Sequence, residues 1–375
     1  MNKIKILAAA VALSFCTSTM VFAQGNTLDI DSFISNNISD TYKVKKADIS
    51  IKQAENSHDQ AVKNASSYSD QFNDDLDSYT KLTIRQQIAI TPRQAEFSIY
   101  KYTKEKEIVE NKVKLDAYTQ YEAIMNTKDV LELQQQKFDH SEQLYNSAKL
   151  KLNLGVVTEA DVKQAEAAYY DAKAQLNKAQ RGYDIQIMKL NQIFDIDVYV
   201  KYDTLLKDKV AETPYIRSYD DYLNDALENR GEIVIGQENI KLKEFEYNII
   251  KGIYPSKYET SNKIGQYNLD KAKDTLELDK LYIANNINEL YNNLQVKCKA
   301  LDSKKDTLKL TETNYNIALA KYNAGVMSRI DFDSQKIGLR AAQNDLKSLQ
   351  RDIWIAQFQL NIACGMGSDT SKITY

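Results

Sequence analysis

Few residues in this chain could do acid–base, nucleophilic or metal chemistry, and none sits with the partners that such chemistry needs. There are two histidines in 375 residues: His58 in AENSHDQA and His140 in KFDHSEQ, both in polar stretches that predict solvated helix faces. The three cysteines, Cys16, Cys298 and Cys364, are far apart and stand at no metal-like spacing from either histidine. A reactive thiolate needs a nearby cation or histidine to lower its pKa. Cys298 instead falls between Leu294 and Leu301 at apolar spacing, which predicts a packing role. Acidic residues alternate with lysines as on solvated coiled-coil faces, and no glycine-rich phosphate loop follows a strand. The expectation is a protein that is not an enzyme and that uses no cofactor or metal.

Charge narrows the partners. The net charge is −3 with both signs spread along the chain, so the basic stripe that nucleic acid requires is missing. At the N-terminus, Lys3 and Lys5 precede an apolar run over residues 6–20, and Val21-Phe22-Ala23 forms a small-residue cleavage pattern before Gln24. This predicts a secretory signal peptide over residues 1–23 and an exported mature chain. The run is shorter than the roughly 20 residues a spanning helix needs, and bulky Phe15 before Cys16 argues against lipid attachment.

Three prolines and eleven glycines are too few for the turns of a β-rich chain, so long helices are expected. From Val162 through Ala165, Tyr169, Ala172, Leu176, Ala179 and Tyr183 to Leu190, apolar residues recur at spacings of three and four, a heptad seam. The same seam returns 170 positions later, the distance from Gly155 to Gly325, in Phe332, Leu339, Ala342, Leu346, Leu349, Ile353, Ala356 and Leu360. Upstream, Tyr121, Ile124, Tyr145 and Ala148 match Tyr291, Leu294, Tyr315 and Ala318. A shared heptad can arise by chance, but a shared interruption at the same place marks an internal repeat.

The interruptions read KLNLGVVTEADV at 151–162 and KYNAGVMSRIDF at 321–332. Gly155 and Gly325 can take the left-handed conformation that ends a helix, while Thr158 and Ser328 can cap the next, with Asp161 and Asp331 three residues on in a shortened capping box. Each copy thus encodes a helical hairpin tip. The helix entering the first tip is expected from about Arg93 to Asn153, and its counterpart from about Gly265 to Asn323. The fold class is all-α: long antiparallel coiled-coil helices in two tandem repeats, with little or no β-structure. Repeat one is expected over about 28–197, a linker over 198–216, repeat two over 217–367 and a tail over 368–375. Ahead of the first long helix, Leu82, Ile84 and Ile88 suggest at most one strand-like piece.

ALENRGEI at 226–233, the doubled Tyr-x-x-Ala-x-x-Lys-x-Asn-x-Gly-Val, the aspartate after each tip and the closing LNIACGMG at 360–367 together resemble the outer-membrane efflux (TolC) family over nearly the whole mature chain. The resemblance implies a homotrimer whose repeated protomers form a tunnel of coiled coils. Its tips, Asn153, Gly155, Val156 and Thr158 with Asn323, Gly325, Val326 and Ser328, would dock a periplasmic membrane-fusion adaptor of an inner-membrane pump of ABC or RND type. Family members insert a β-hairpin in each repeat to build an outer-membrane barrel; here those connections are short and polar. Family members also place two aspartates three apart after the second tip. Asp331 matches the first, as the acid of the aperture; Ser334 takes the second place, and Asp333 is expected as a solvated carboxylate. The resemblance therefore implies an efflux duct at the outer membrane, or a periplasmic protein if no barrel forms. The alternative is a non-transporting envelope scaffold on the same fold.

Overall fold

A computed structural model describes residues 26–367. The expected signal peptide, Cys16 and the tail at 368–375 lie outside the described residues. Two long hairpins run side by side. The first joins α4 (Thr91–Asn153) to α5 (Glu159–Ile193), and the second joins α8 (Thr260–Asn323) to α9 (Arg329–Ala363). At 63 residues, α4 is about 95 Å long at about 1.5 Å per residue. Shorter helices precede each hairpin: α1 (Ile30–Asn37), α2 (Tyr42–Ser69) and α3 (Ser78–Arg85) before the first, α6 (Tyr219–Asn229) and α7 (Gly231–Ile253) before the second. Helix α2 packs along α4 and α7 along α8, while α4 also lies against α9.

The segment expected to be strand-like around Leu82–Ile88 is helical. Asp77 caps α3 by accepting from the backbone N–H groups of Tyr79 and Thr80. The chain then passes through a π turn at Gln86–Ile90 into α4, where Pro92 sits in the first turn. Proline has no N–H to donate back, so the hydrogen-bond register is free to shift there. Ile84 and Ile90 are buried. Among the described residues strand is limited to β1 (Thr27–Asp29) and β2 (Thr204–Leu206), which pair in parallel.

The core lies where the short helices and the segment crossing between the hairpins wrap the middle of α4, α8 and α9. Tyr118, Trp354 and Phe358 meet there with ring centroids 5.0–5.4 Å apart. The crossing segment, which carries β2, is stitched on by polar bonds. Tyr121 donates its hydroxyl to the Leu206 carbonyl, Lys209 pairs with Asp31 at 3.0 Å, and Asn191 donates to the Val200 carbonyl at 2.8 Å. Arg351 is a buried charge among these anchors, its side chain 2% exposed. It holds Asp208 of the crossing segment through two 2.7 Å bonds and binds Asn126 and Asp129 of α4 at 2.7 and 2.8 Å.

The equivalent ends of α5 and α9 close differently. Asp195 and Gly365 both take positive φ, 56° and 71°. The Asp195 carboxylate accepts from the Tyr42 N–H at 2.7 Å, at the start of α2. At Gly365 a Cβ would stand 2.6 Å from the Asn229 carbonyl carbon and 2.7 Å from the Arg230 nitrogen, so only glycine fits. ALENRGEI and LNIACGMG thus meet at one helix junction.

Removing one partner of a buried ion pair strands the other, at about 3–5 kcal/mol. Arg351→Ala is therefore expected to cost that much in urea denaturation of the full chain, while Arg181→Ala, at the exposed repeat-related position, should stay within about 0.5 kcal/mol.

Candidate functional site at the hairpin tips

Each tip is built by the same local bonds. At the end of α4, the Val156 N–H donates to the Lys151 carbonyl and the Gly155 N–H to the Leu152 carbonyl, both at 2.9 Å, with Gly155 at φ +71°. At the end of α8, Val326 donates to Lys321 and Gly325 to Tyr322, both at 3.0 Å, with Gly325 at φ +72°. This paired closure satisfies the last helix carbonyls, and it needs one residue in the left-handed region. A Cβ at either glycine would meet open space, so backbone angle alone selects glycine here.

The returning helices are capped as their sequences predict, with one difference. At α5, Thr158 accepts from the Asp161 N–H at 3.2 Å, and the Asp161 carboxylate accepts from the Thr158 N–H at 2.8 Å, a complete capping box. These bonds from the Thr158 backbone and hydroxyl hold Asp161 below the usual carboxylate range. At α9, Ser328 accepts from the Asp331 N–H at 3.1 Å and donates its hydroxyl to the Asp331 carboxylate at 2.7 Å. Asp331, expected as the acid of the aperture, is thus engaged in the first turn of α9.

Behind the glycines the hairpins are zipped by aromatic rings. Tyr145 stacks on Tyr169 at 5.6 Å and donates to Glu166 at 2.9 Å, while Phe332 lies between Tyr315 and Tyr322 at 5.5 and 5.0 Å. Beyond the glycines the surface is apolar and open: Leu154 is 77% exposed, Val156 69% and Val326 74%. Asn153 and Asn323 are exposed beside them. Leu154 adds to the residues expected at the tip, and its place just before the glycine was the available signal.

Two groups expected to be solvated are partly covered. The Asp333 side chain is 16% exposed and pairs with Arg329 at 2.9 Å, because the two are one helical turn apart on the face that meets α4. His140 borders the same small cleft, of about 190 Å³, with Gln136, Asp139 and Gln143 of α4 facing Arg329, Asp333 and Lys336 of α9. Its Nδ1 is buried without a hydrogen-bond partner, as are Gln136 Oε1 and Arg340 Nε. Farther along this seam Arg340 pairs with Glu132 and lies 3.7 Å from Asp129. The seam between the hairpins is polar here, in contrast to the aromatic seam within each hairpin. Cys298 is half-buried against the core, and burial pushes its thiol up; Cys364 is fully buried and pushed up to about 12. Both thiols are free.

Neither the protein-family models nor the curated protein sequences give a match. Solved structures do, over almost the whole chain. The Campylobacter jejuni CmeC outer membrane channel aligns with a TM-score of 0.67 at 14% identity, covering 99% of this chain and 96% of that one. The chain has the TolC-type outer-membrane channel fold. The outer-membrane channel OprN aligns with a TM-score of 0.65 at 10% identity over 90% of each chain. The outer membrane protein VceC of Vibrio cholerae aligns at 0.63 and 11%, covering 90% of this chain and 96% of that one. These neighbours are channels and not enzymes. Within this TolC-type fold the described residues depart at one end: the turns opposite the tips, at 70–77 and 254–259, hold no strands, and no described helix is long and apolar enough to cross a membrane.

Gly155→Ala and Gly325→Ala should each cost about 1–2 kcal/mol, the strain of an L-residue in the left-handed region. Gly365→Ala should cost more, since its Cβ also overlaps the α6–α7 backbone. Urea midpoints of the three variants check this order.

Proposed function

We propose that this chain is the protomer of a passive export duct in the cell envelope, assembled as a homotrimer. Its hairpin tips dock a membrane-fusion adaptor that links it to an inner-membrane pump. One observation carries the reading: α8 has a second apolar seam that no other described residue covers. Ile264, Tyr267, Leu278, Leu281, Tyr282, Val296, Leu310 and Ile317 are all exposed. At about 100° per residue they fall within one arc of roughly 100° along nearly the full helix. The opposite seam of α8, including Leu269, Leu276, Ile283, Ile287, Leu294 and Leu301, is already buried. A stripe of this length on a soluble face calls for coverage, and neighbouring copies in a ring of hairpins supply it.

The tips favour docking by apolar contact, since Leu154, Val156 and Val326 stand outside the closed glycine turns. Asn153, Asn323, Thr158 and Ser328 add polar groups around them. The fold it shares with outer-membrane channels supports a location in the envelope. The strand-free turns opposite the tips favour a tunnel that borrows its membrane passage from another component. Those same turns favour the second reading, an envelope scaffold that does not transport.

Purified full-length chain in a planar bilayer is expected to give no discrete channels by itself. It is expected to bind the membrane-fusion adaptor encoded nearest to it, and Val156→Asp with Val326→Asp should weaken that binding about tenfold, or roughly 1.4 kcal/mol, without moving the melting temperature. Discrete channels from the chain alone would overturn the borrowed membrane passage. Unchanged adaptor affinity in the folded variant would overturn tip docking, and unaltered efflux in cells lacking the chain would favour the scaffold.

A further inference from the structure

The long helices of one chain pack side by side in a layer with two unlike edges. Away from the tips the order is α2, α4, α7, α8; toward them it is α5, α4, α9, α8. One edge is therefore α8 with its uncovered stripe, and the other is α2 continued by α5. On α2 the residues turned away from α4 are Lys45, Ile49, Lys52, Asn56 and Lys63, all exposed. They lie within roughly 60° of one another at about 100° per residue, opposite the buried Val44, Ala54 and Ala61. Asp59 is the acid in that row. From Tyr267 to Glu289 the α8 stripe carries the reverse sign: Asp270, Asp274 and Glu289 are exposed in it or beside it, and Lys271 is the base among them.

The two rows stand at the same height. Asp48 of α2 pairs with Lys106 of α4 at 2.7 Å. Ile108, just along α4, packs on Gly231, and the neighbouring Arg230 binds Asn286 of α8 at 3.0 Å. Ile49 is thus level with Leu281 and Tyr282. Because α2 runs away from the tips and α8 toward them, Lys52 is level with Leu278, Asp59 with Lys271 and Lys63 with Tyr267. A ring whose axis runs along the helices keeps these heights from copy to copy. We propose that the edge formed by α2 and α5 is the seat for the α8 stripe of the next copy, a basic row on an acidic one; this deepens the trimer proposed above and rests on it. In that seat Ile49 packs on Leu281 and Tyr282, Lys52 and Lys63 reach Asp274 and Asp270, and Asp59 reaches Lys271. Nearer the tips the exposed Tyr170 and Ile185 of α5 face the lower stripe of Val296, Leu310 and Ile317. Unlike edges joined in this way are heterologous and close into a ring by rotation. Pairing α8 with α8 about a two-fold axis along the helices would instead set Asp270, Asp274 and Glu289 against their own copies. Exposed ion pairs add little affinity, so the apolar side chains hold the seat and the charges choose what fills it.

Sedimentation equilibrium of the purified chain tests this by charge reversal. Lys52→Glu with Lys63→Glu should weaken self-association about tenfold, and Asp270→Lys with Asp274→Lys by a similar factor, since like charges then meet across the seat. The chain carrying all four substitutions has its signs exchanged and should return to within about threefold of the wild type. Circular dichroism of each variant separates loss of contact from loss of fold, and recovery in the four-site chain does so again. A wild-type trimer whose association is unmoved by the α2 reversals, or a four-site chain no better than either two-site one, would overturn this seat and leave the trimer standing. A folded wild-type chain that stays monomeric would overturn both.

Discussion

The buried guanidinium of Arg351 sets the constraint from which the rest of the architecture follows. A charge enclosed this deeply is tolerable only with every partner in place. It ties together three separate parts of the chain: α4 through Asn126 and Asp129, the crossing segment through Asp208, and α9, which carries it. Fixing them fixes the relation of one hairpin to the other. It also explains why residues 198–216 are an ordered strap and not a loose linker: Asp208 must reach α9, and β2 is then laid against β1.

From that anchor outward, two kinds of interface divide the work. Within each hairpin the seam is apolar and aromatic, so each pair of helices behaves as a stiff rod ended by a closed glycine turn. Between the hairpins, toward the tips, the seam is carried by ion pairs and by groups that burial leaves short of partners. An apolar seam loses free energy continuously as it opens, whereas a polar one exchanges its partners for water. Each hairpin is thus stiff along its length, and the contact between the hairpins toward the tips is the one that water can replace.

Much of this was legible in the sequence because the relevant physics is local. Gly155 and Gly325 end helices through backbone conformation, and Thr158 and Ser328 cap the next ones through neighbouring side chains, so spacing alone located both tips. The helix limits at Asn153 and Asn323 followed. What local spacing could not carry was tertiary. Arg181 and Arg351 occupy equivalent places, yet only Arg351 is buried, since Asp208 comes from outside either copy of the pattern. Asp195 and Gly365 are likewise equivalent, and the glycine is explained only by the Asn229–Arg230 backbone packed against it. Leu82, Ile84 and Ile88 sit at even spacings as in a strand, but the Asp77 cap starts a helix just ahead of them. Asp333 looked solvated because its cover, α4, is distant in sequence.

The exposed heptad stripe of α8 is uncovered among the described residues, and the proposed trimer would cover it with another copy. The most direct test is the native mass of the purified chain, measured together with solvent labelling of Leu278, Tyr282, Val296 and Leu310. A trimer in which these side chains are shielded is the predicted result. A monomer in which all four label freely, at concentrations where the fold is intact, would contradict the account.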